Sequence, residues 1–269
     1  MSEIHKTAII ADGAQIGQNV QIDPYAFIDA DVVIGDNCHI HSSVRIYGGA
    51  RLGNNVKVFP SATIAGEPQD LKFGGERTLL SIDENTVIRE FAALHRGTGE
   101  GGETRIGKNC LIMAYAHVAH DCVIGDNVIL VNSVNLAGHV EVEEYAIIGG
   151  VVPVHQFVRI GRHCMVGGGF RVPKDVPPYI MAGGYPLAYA GLNSIGLRRR
   201  GFKREDIDAM KQAYKYLFAS TMNTSQALEH ISETMEVTEP IRNIIEFVKQ
   251  SKRGLLPGRA RYSVEAQDL

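Results

Sequence analysis

Broken at every sixth residue, positions 4–64 read IHKTAI IADGAQ IGQNVQ IDPYAF IDADVV IGDNCH IHSSVR IYGGAR LGNNVK VFPSAT I, and every segment opens on an aliphatic, from Ile4, Ile10 and Ile16 through to Ile64. The series resumes at Ile82, Ile88 and Leu94, and runs again from Ile106 through Val118, Leu130, Val142 and Val154 to Val172. Four residues after each aliphatic comes a mostly small apolar residue: Ala8, Ala14, Val20, Ala26, Val32, Cys38, Val44, Ala50, Val56, Ala62. Neither the helical period of 3.6 nor the strand period of 2 fits this pattern, whereas a six-residue repeat is that of a parallel β-helix whose short strands meet at corners. Asp, Asn and Gly at the third and fourth positions, as in Asp36-Asn37, Asn54-Asn55 and Asp126-Asn127, suit those corners. Three hexads close one triangular coil, and about 25 hexads predict roughly eight coils in a prism about 40 Å long.

Composition agrees with a strand-rich soluble chain. Of 269 residues, 45% are hydrophobic but only 7% aromatic with no Trp, so the core is built of Ile and Val rather than large rings. Basic and acidic side chains number 27 and 30, a balance that excludes a globally basic nucleic-acid binder. No apolar run is long enough to span a membrane, and Met1–Thr7 has no basic region followed by an apolar one, so a cytoplasmic protein is expected. Cys38, Cys110, Cys122 and Cys164 all fall in the small apolar slot with no CxxC, which makes them core residues rather than disulfide or metal partners.

Two interruptions break the period. Between Ile64 and Ile82 the aliphatic positions would be Asp70 and Glu76, so the segment 65–81, AGEPQDLKFGGERTLLS, is expected to leave the prism as an excursion loop; a shorter one spans Gly97–Arg105. After Pro177-Pro178 the period fades, and from about Lys203 apolar residues recur at helical spacing: Ile207, Met210, Tyr214, Leu217 and Phe218; then Ala227, Leu228, Ile231 and Met235; then Ile241, Ile244, Ile245 and Val248 after Pro240. The expected division is a β-helix over 1–190 and a small helical domain over 191–269.

With three hexads per coil, residues eighteen apart stack at one strand spacing. His120 is a third-position corner residue that stacks under Gly138 and Gln156, Asp121 stacks under His139, His155 adjoins Gln156, and His117 lies on the adjoining face. A single corner histidine is ordinarily a solvated polar residue. Five of the ten histidines, however, fall between 117 and 163, and histidine gives a corner no benefit that Asp or Asn lacks. Neutral imidazole accepts a proton from a hydroxyl, and a neighbouring carboxylate orients it and stabilises its charged form, so His120 with Asp121 reads as a general base and its support.

The loop PQDLK together with the segments MAYAHVAHDCVIGDN, LAGHV, VHQF and LNSIGLRRRGF, which follow it in this order, closely resembles the UDP-N-acetylglucosamine O-acyltransferases that begin lipid A synthesis. The resemblance covers nearly the whole chain. It implies a left-handed β-helix assembled as a homotrimer, with active sites between subunits. It also implies transfer of a 3-hydroxyacyl group from an acyl carrier protein thioester to the sugar 3-hydroxyl, and no metal or diffusible cofactor. By that resemblance His120 is the base, Asp121 its support, and Gly138 the donor of a backbone N–H to the developing oxyanion. His117, His139 and His155 position substrate; Gln156, Asn193, Arg199 and Arg200 match the nucleotide-sugar site; Gln69, Asp70 and Lys72 reach the sugar nucleotide or acyl group, often across a subunit boundary. Gly168 matches the position that limits acyl-chain depth, where glycine suits a longer chain. Acyl length, and the choice between UDP-N-acetylglucosamine and its 3-amino analogue, stay open.

Arg198, Arg199, Arg200, Lys203 and Arg204 crowd a predicted helix start, where positive charge opposes the dipole, so an acidic carrier protein or a phosphate is the expected reason for them. Arg159, Arg162, Arg171 and Lys174 are a weaker extension of the same surface. Two alternatives were weighed: a trimeric γ-type carbonic anhydrase with zinc, opposed by only two residues between His117 and His120, and a non-catalytic solenoid scaffold, which needs neither the histidine cluster nor the excursion. A related N-acyltransferase ordinarily carries a nucleotide-binding domain before its β-helix, and a repeat beginning at Ile4 counts against it.

Overall fold

An aliphatic at every sixth position and a small residue four later can both point inward only if the chain turns after each pair, and it does. In the computed structural model, which describes residues 2–258, most strands are two residues long, an outward residue followed by the buried aliphatic, as in Leu111–Ile112, His117–Val118 and Val123–Ile124. They assemble into three faces, parallel throughout except that the last two strands of the first, Ile180–Gly183 and Ala188–Leu192, pair antiparallel. The first has eleven strands from Glu3–Ile4 onward; the second, eight from Ile9–Ile10 to Pro153–Val154; the third, eight from Gln15–Ile16 to Arg159–Ile160. The result is a left-handed parallel β-helix. The eighteen-residue register holds along the coils: Ile112 pairs with Leu130, and Val118 with Leu136.

Both inward slots are filled. Val118, Cys122, Val128, Leu130, Val134 and Leu136 are fully buried, and all four cysteines are free and buried, as expected of core residues. Burial pushes the Cys122 thiol up to about 12 and the Cys110 thiol to about 11, leaving neither reactive. The fourth residue of the hexads sits in the left-handed region, at Asn37, Asn55, Asn85 and Asn127 but also at Tyr115, Asp121 and His139. Asn supports that conformation locally; the bulkier residues adopt it because ladders on both sides fix the corner.

The excursions are shorter than the interrupted period suggested. Thr63–Gly66 and Leu79–Ile82 are strands, so only residues 67–78 leave the prism, because Leu80 is a buried core residue paired with Ala50. Likewise Glu103–Ile106 is a strand, and the second excursion spans 96–102. Both leave after a strand of the second face and return on the third, hence from the same corner.

At the far end, helices α1 (Ser194–Arg199), α2 (Arg204–Ala219), α3 (Thr224–Thr234) and α4 (Glu239–Gln250) close over the last coil. The last three match the sequence periodicity; α1 was not foreseen, being too short to show a period. The Tyr214 hydroxyl of α2, fully buried, donates to the Pro178 carbonyl at 2.5 Å and ties helices to prism. Met1 and residues 259–269, the latter part of the expected helical domain, lie outside the described residues.

A slot filled on all sides has nothing to relax into it. Ile112→Ala, fully buried in mid-prism, should lower unfolding stability by about 2–5 kcal/mol, and Ile10→Ala, only half-buried near the open first coil, by less than about 2 kcal/mol; denaturant midpoints that fail to separate the two would contradict a core continuous along the prism.

Candidate active site

Val118 and Cys122 point inward on either side of one corner, and the backbone between them has to carry His120 and Asp121 outward, Asp121 at φ 58°. Its N–H donates to Thr104 Oγ1 at 2.8 Å. The shorter excursion brings Thr98 over the corner, where its N–H donates to Asp121 Oδ1 at 2.9 Å and its hydroxyl to Oδ2 at 2.6 Å. Burial raises the Asp121 carboxyl, but these bonds and one from His120 outweigh it and hold the group below the usual carboxylate range.

That settles the tautomer of His120. An ionised carboxylate only accepts, so the 2.7 Å contact between His120 Nδ1 and Asp121 Oδ2 places a proton on Nδ1 and leaves Nε2 as a lone pair. Gly138 lies directly above: a Cβ there would come within 2.7 Å of Nε2, so the imidazole itself demands glycine. At some corners this position is capped by the next coil, Asp36 N–H donating to Asn54 Oδ1 and Lys108 N–H to Asp126 Oδ1. The Gly138 N–H has no acceptor among the described residues and stays available beside the Nε2 lone pair.

The corner gathers most of the predicted residues. His139 packs edge-on to His120 with ring centroids 5.2 Å apart, its Nε2 is 3.7 Å from Asp121 Oδ2, and it stacks on Phe157 at 4.7 Å. Gln156 is exposed one coil above Gly138, and His155 Nδ1 donates back to the Gln156 carbonyl at 3.1 Å. From the longer excursion Asp70 Oδ2 reaches within 3.9 Å of His120 Nε2, while Gln69 and Lys72 are exposed and Lys72 N–H donates to Asp70 Oδ1 at 2.9 Å. The two excursions brace one another, Gly99 N–H donating to Glu76 Oε1 at 2.8 Å.

Three residues that sequence reading missed complete the site: Thr98, Thr104 and His95. His95 is buried, its Nδ1–H donating to the Glu67 carbonyl at 2.7 Å, so its Nε2 is a lone pair, and that atom has no partner among the described residues. Its ring lies 4.9 Å from that of His117 on the face beside the corner. Burial lowers both imidazoles, His117 to about 4 with His95 assisting, so both are neutral around His120 at pH 7. The one available signal was that both interruptions follow a second-face hexad.

Other predicted residues are elsewhere in the chain. Gly168 is exposed at the corner between the first and second faces, against Gly150. Asn193, Arg199 and Arg200 lie by the corner between the third and first. There Asn193 caps α1 and donates to the His163 carbonyl at 3.0 Å, and the Arg200 guanidinium lies 5.1 Å over the Tyr145 ring, which stacks on His163. The expected helix start is found at Lys203 and Arg204, which cap and open α2, but Arg198 and Arg199 occupy the last turn of α1, where positive charge favours the helix. Arg159 and Arg162 are engaged with Glu141, Glu143 and Glu144 rather than free for a partner.

The sequence family described as UDP N-acetylglucosamine O-acyltransferase, domain 2, matches residues 175–256, and bacterial transferase hexapeptide repeats match 13–48, 31–66 and 103–138. The chain is 43% identical over 264 residues to the acyl-(acyl-carrier-protein)–UDP-N-acetylglucosamine O-acyltransferase of Campylobacter concisus, covering 97% of this chain and all of that one. It is 49% identical to the corresponding enzyme of Nautilia profundicola over 72% of this chain and 75% of that one. The crystal structure of the UDP-N-acetylglucosamine acyltransferase of Bacteroides fragilis superposes with a TM-score of 0.93 at 44% identity, covering 94% of this chain and 99% of that one.

The neutral histidines have a measurable consequence. As pH falls from the ordinary imidazole value of 6.5 toward 4, the unfolded chain takes up protons at His117 and His163 that the fold excludes, so stability should decline across that window. NMR titration is expected to place the His117 midpoint near 4; a midpoint above about 6 would remove burial as the controlling influence.

Proposed function

Because this chain belongs to the UDP-N-acetylglucosamine O-acyltransferase family, we propose that His120 Nε2 is the base in its reaction, the movement of an acyl group from acyl carrier protein to UDP-N-acetylglucosamine at the start of lipid A synthesis. The observation that carries this is a lone pair packed against a glycine whose amide is unpaired among the described residues: His120 Nε2, its other nitrogen held by Asp121, against Gly138.

The steps follow from that pair. Nε2 takes the proton of the sugar 3-hydroxyl as its oxygen attacks the thioester carbonyl of a 3-hydroxyacyl group. The imidazolium formed is stabilised by Asp121, which Thr98 and Thr104 keep in place. Negative charge collecting on the former carbonyl oxygen is met by the Gly138 N–H, a donor already oriented and needing no reorganisation. Collapse breaks the carbon–sulfur bond; the carrier thiol leaves with the proton from Nε2, and the ester stays on the sugar. The neutral His117, with His139, His155 and the amide of Gln156, offers hydrogen bonds to sugar hydroxyls, and Gln69, Asp70 and Lys72 close over the same corner.

Asn193, Arg199 and Arg200 belong to a different corner of the prism, as does Gly168, and no single chain brings them to His120. The reading that unites the base with the arginines is a homotrimer in which the catalytic corner of one subunit meets the arginine-bearing corner of the next, with Arg199 near the nucleotide phosphates; Gly168, on the remaining corner, is the residue that would limit acyl depth. On this reading the β-helix, residues 1–190, supplies the chemistry and the C-terminal part, 191–269, the nucleotide grip. No helix among the described residues is long and apolar enough to cross a membrane, and we place the enzyme in the cytoplasm.

His120→Ala should leave the fold intact and lower transfer to UDP-N-acetylglucosamine by at least about 10²-fold. Arg199→Ala should raise KM for the nucleotide sugar. Co-expressing the two variants tests sharing between subunits, because mixed trimers then contain sites with both intact residues; activity in the mixture no greater than the Arg199→Ala protein alone would confine the site to one chain.

A further inference from the structure

A second convergence of imidazole and carboxylate lies far from the catalytic corner, on the outer side of the first face near the open end of the prism. Gln21 and Asp23 flank the buried Ile22, and one coil on His39 and His41 flank the buried Ile40, so the pairing of Gln21 with His39 stacks four polar side chains as a two-by-two patch. His39 Nε2 is 3.0 Å and His41 Nδ1 3.2 Å from the same oxygen, Asp23 Oδ2. The two rings lie face to face, centroids 3.7 Å apart, and Phe59 packs on His41 at 4.6 Å. All three side chains are about a quarter exposed, so they are covered but reachable.

We propose that Asp23, His39 and His41 form a binding site for a divalent transition-metal cation of the zinc class. The spacing fits: ligands about 2.0 Å from a tetrahedral zinc ion stand about 3.3 Å from one another, close to both nitrogen–oxygen distances, and all three donor atoms fall within 4.8 Å. Two imidazole nitrogens and one carboxylate oxygen are the donor set such ions take, with room for water at a fourth position. Gln21 Nε2 donates to the other carboxylate oxygen, Oδ1, at 3.1 Å and turns Oδ2 toward the histidines, the outer support that metal ligands ordinarily carry.

The catalytic corner has the same composition and lacks this fitness. There His120, Asp121 and His139 also converge, but both Asp121 oxygens accept bonds from Thr98, and His120 Nδ1 adds a further bond to Oδ2 at 2.7 Å. At Asp23, the contacts of Oδ2 among the described residues are the two imidazoles. A cation there joins the second coil to the third, near the end where Ile4 and Ile9 remain exposed and the first strands have a neighbour on one side only.

Full-length protein stripped with a chelator and then dialysed against Zn²⁺ should retain one ion per chain by elemental analysis, and its thermal midpoint should rise with free Zn²⁺. Asp23→Asn and His41→Gln should lose the ion and the rise, Gln21→Ala should weaken binding about tenfold, and His120→Ala should keep both. Co²⁺ loaded into the unaltered protein gives a reading that requires no variant to fold: the intense visible bands of a four-coordinate site support the proposal, and the faint spectrum of hydrated Co²⁺ overturns it. Retention of no ion, or retention that depends on His120 or His139 instead of His41, overturns it as well.

Discussion

Closure of the eighteen-residue coil is the constraint on which everything else in this protein rests. Each coil is three short strands and three corners, and most corners hold one residue in the left-handed region. An isolated chain would resist that conformation at Tyr115 or Val151. It persists because the inward aliphatic and small residues before and after every corner are held by the coils above and below, so burial and ladder hydrogen bonds together fix the backbone that local preference leaves open.

That rigidity turns a corner into a place for chemistry. Side chains on one ridge are spaced by the strand separation whatever their identity, which lets an imidazole sit beneath a glycine and beside a carboxylate without either having to be ordered by substrate. Some corners cap their amides with Asn or Asp from the next coil; the one above His120 has a glycine with its N–H uncapped, and glycine is also the residue His120 has room for. The excursions add what a bare ridge cannot: Thr98 to hold Asp121, Asp70 to face Nε2, and Glu67 to fix the tautomer of His95.

Most of this was legible in the sequence because the repeat converts sequence separation directly into height. The stacking of His120, Gly138 and Gln156, the inward fate of the four cysteines and three of the four helices follow from counting. Thr98, Thr104 and His95 escaped it. Thr104 and His95 lie in strands beside interruptions of the count, and Thr98 lies inside one, where phase gives no position. The common corner of both excursions was nonetheless available, since each interrupts the series after a second-face residue, Ile64 or Leu94. The arginine run was misread for a related reason: α1 is too short to show a period, and without it Arg198 and Arg199 looked like residues before a helix rather than at the end of one.

The sequence by itself determined the β-helix, its coil length, its core and the ridge that carries His120 and Asp121, because a strict period leaves only one way to bury its aliphatics. Only the tertiary structure decided which nitrogen of His120 is free, what restrains Asp121, and that the arginines stand on another ridge. Those depend on where irregular segments come to lie and on which donor reaches which oxygen, and a short polar stretch of chain carries no repeating pattern from which such contacts can be counted.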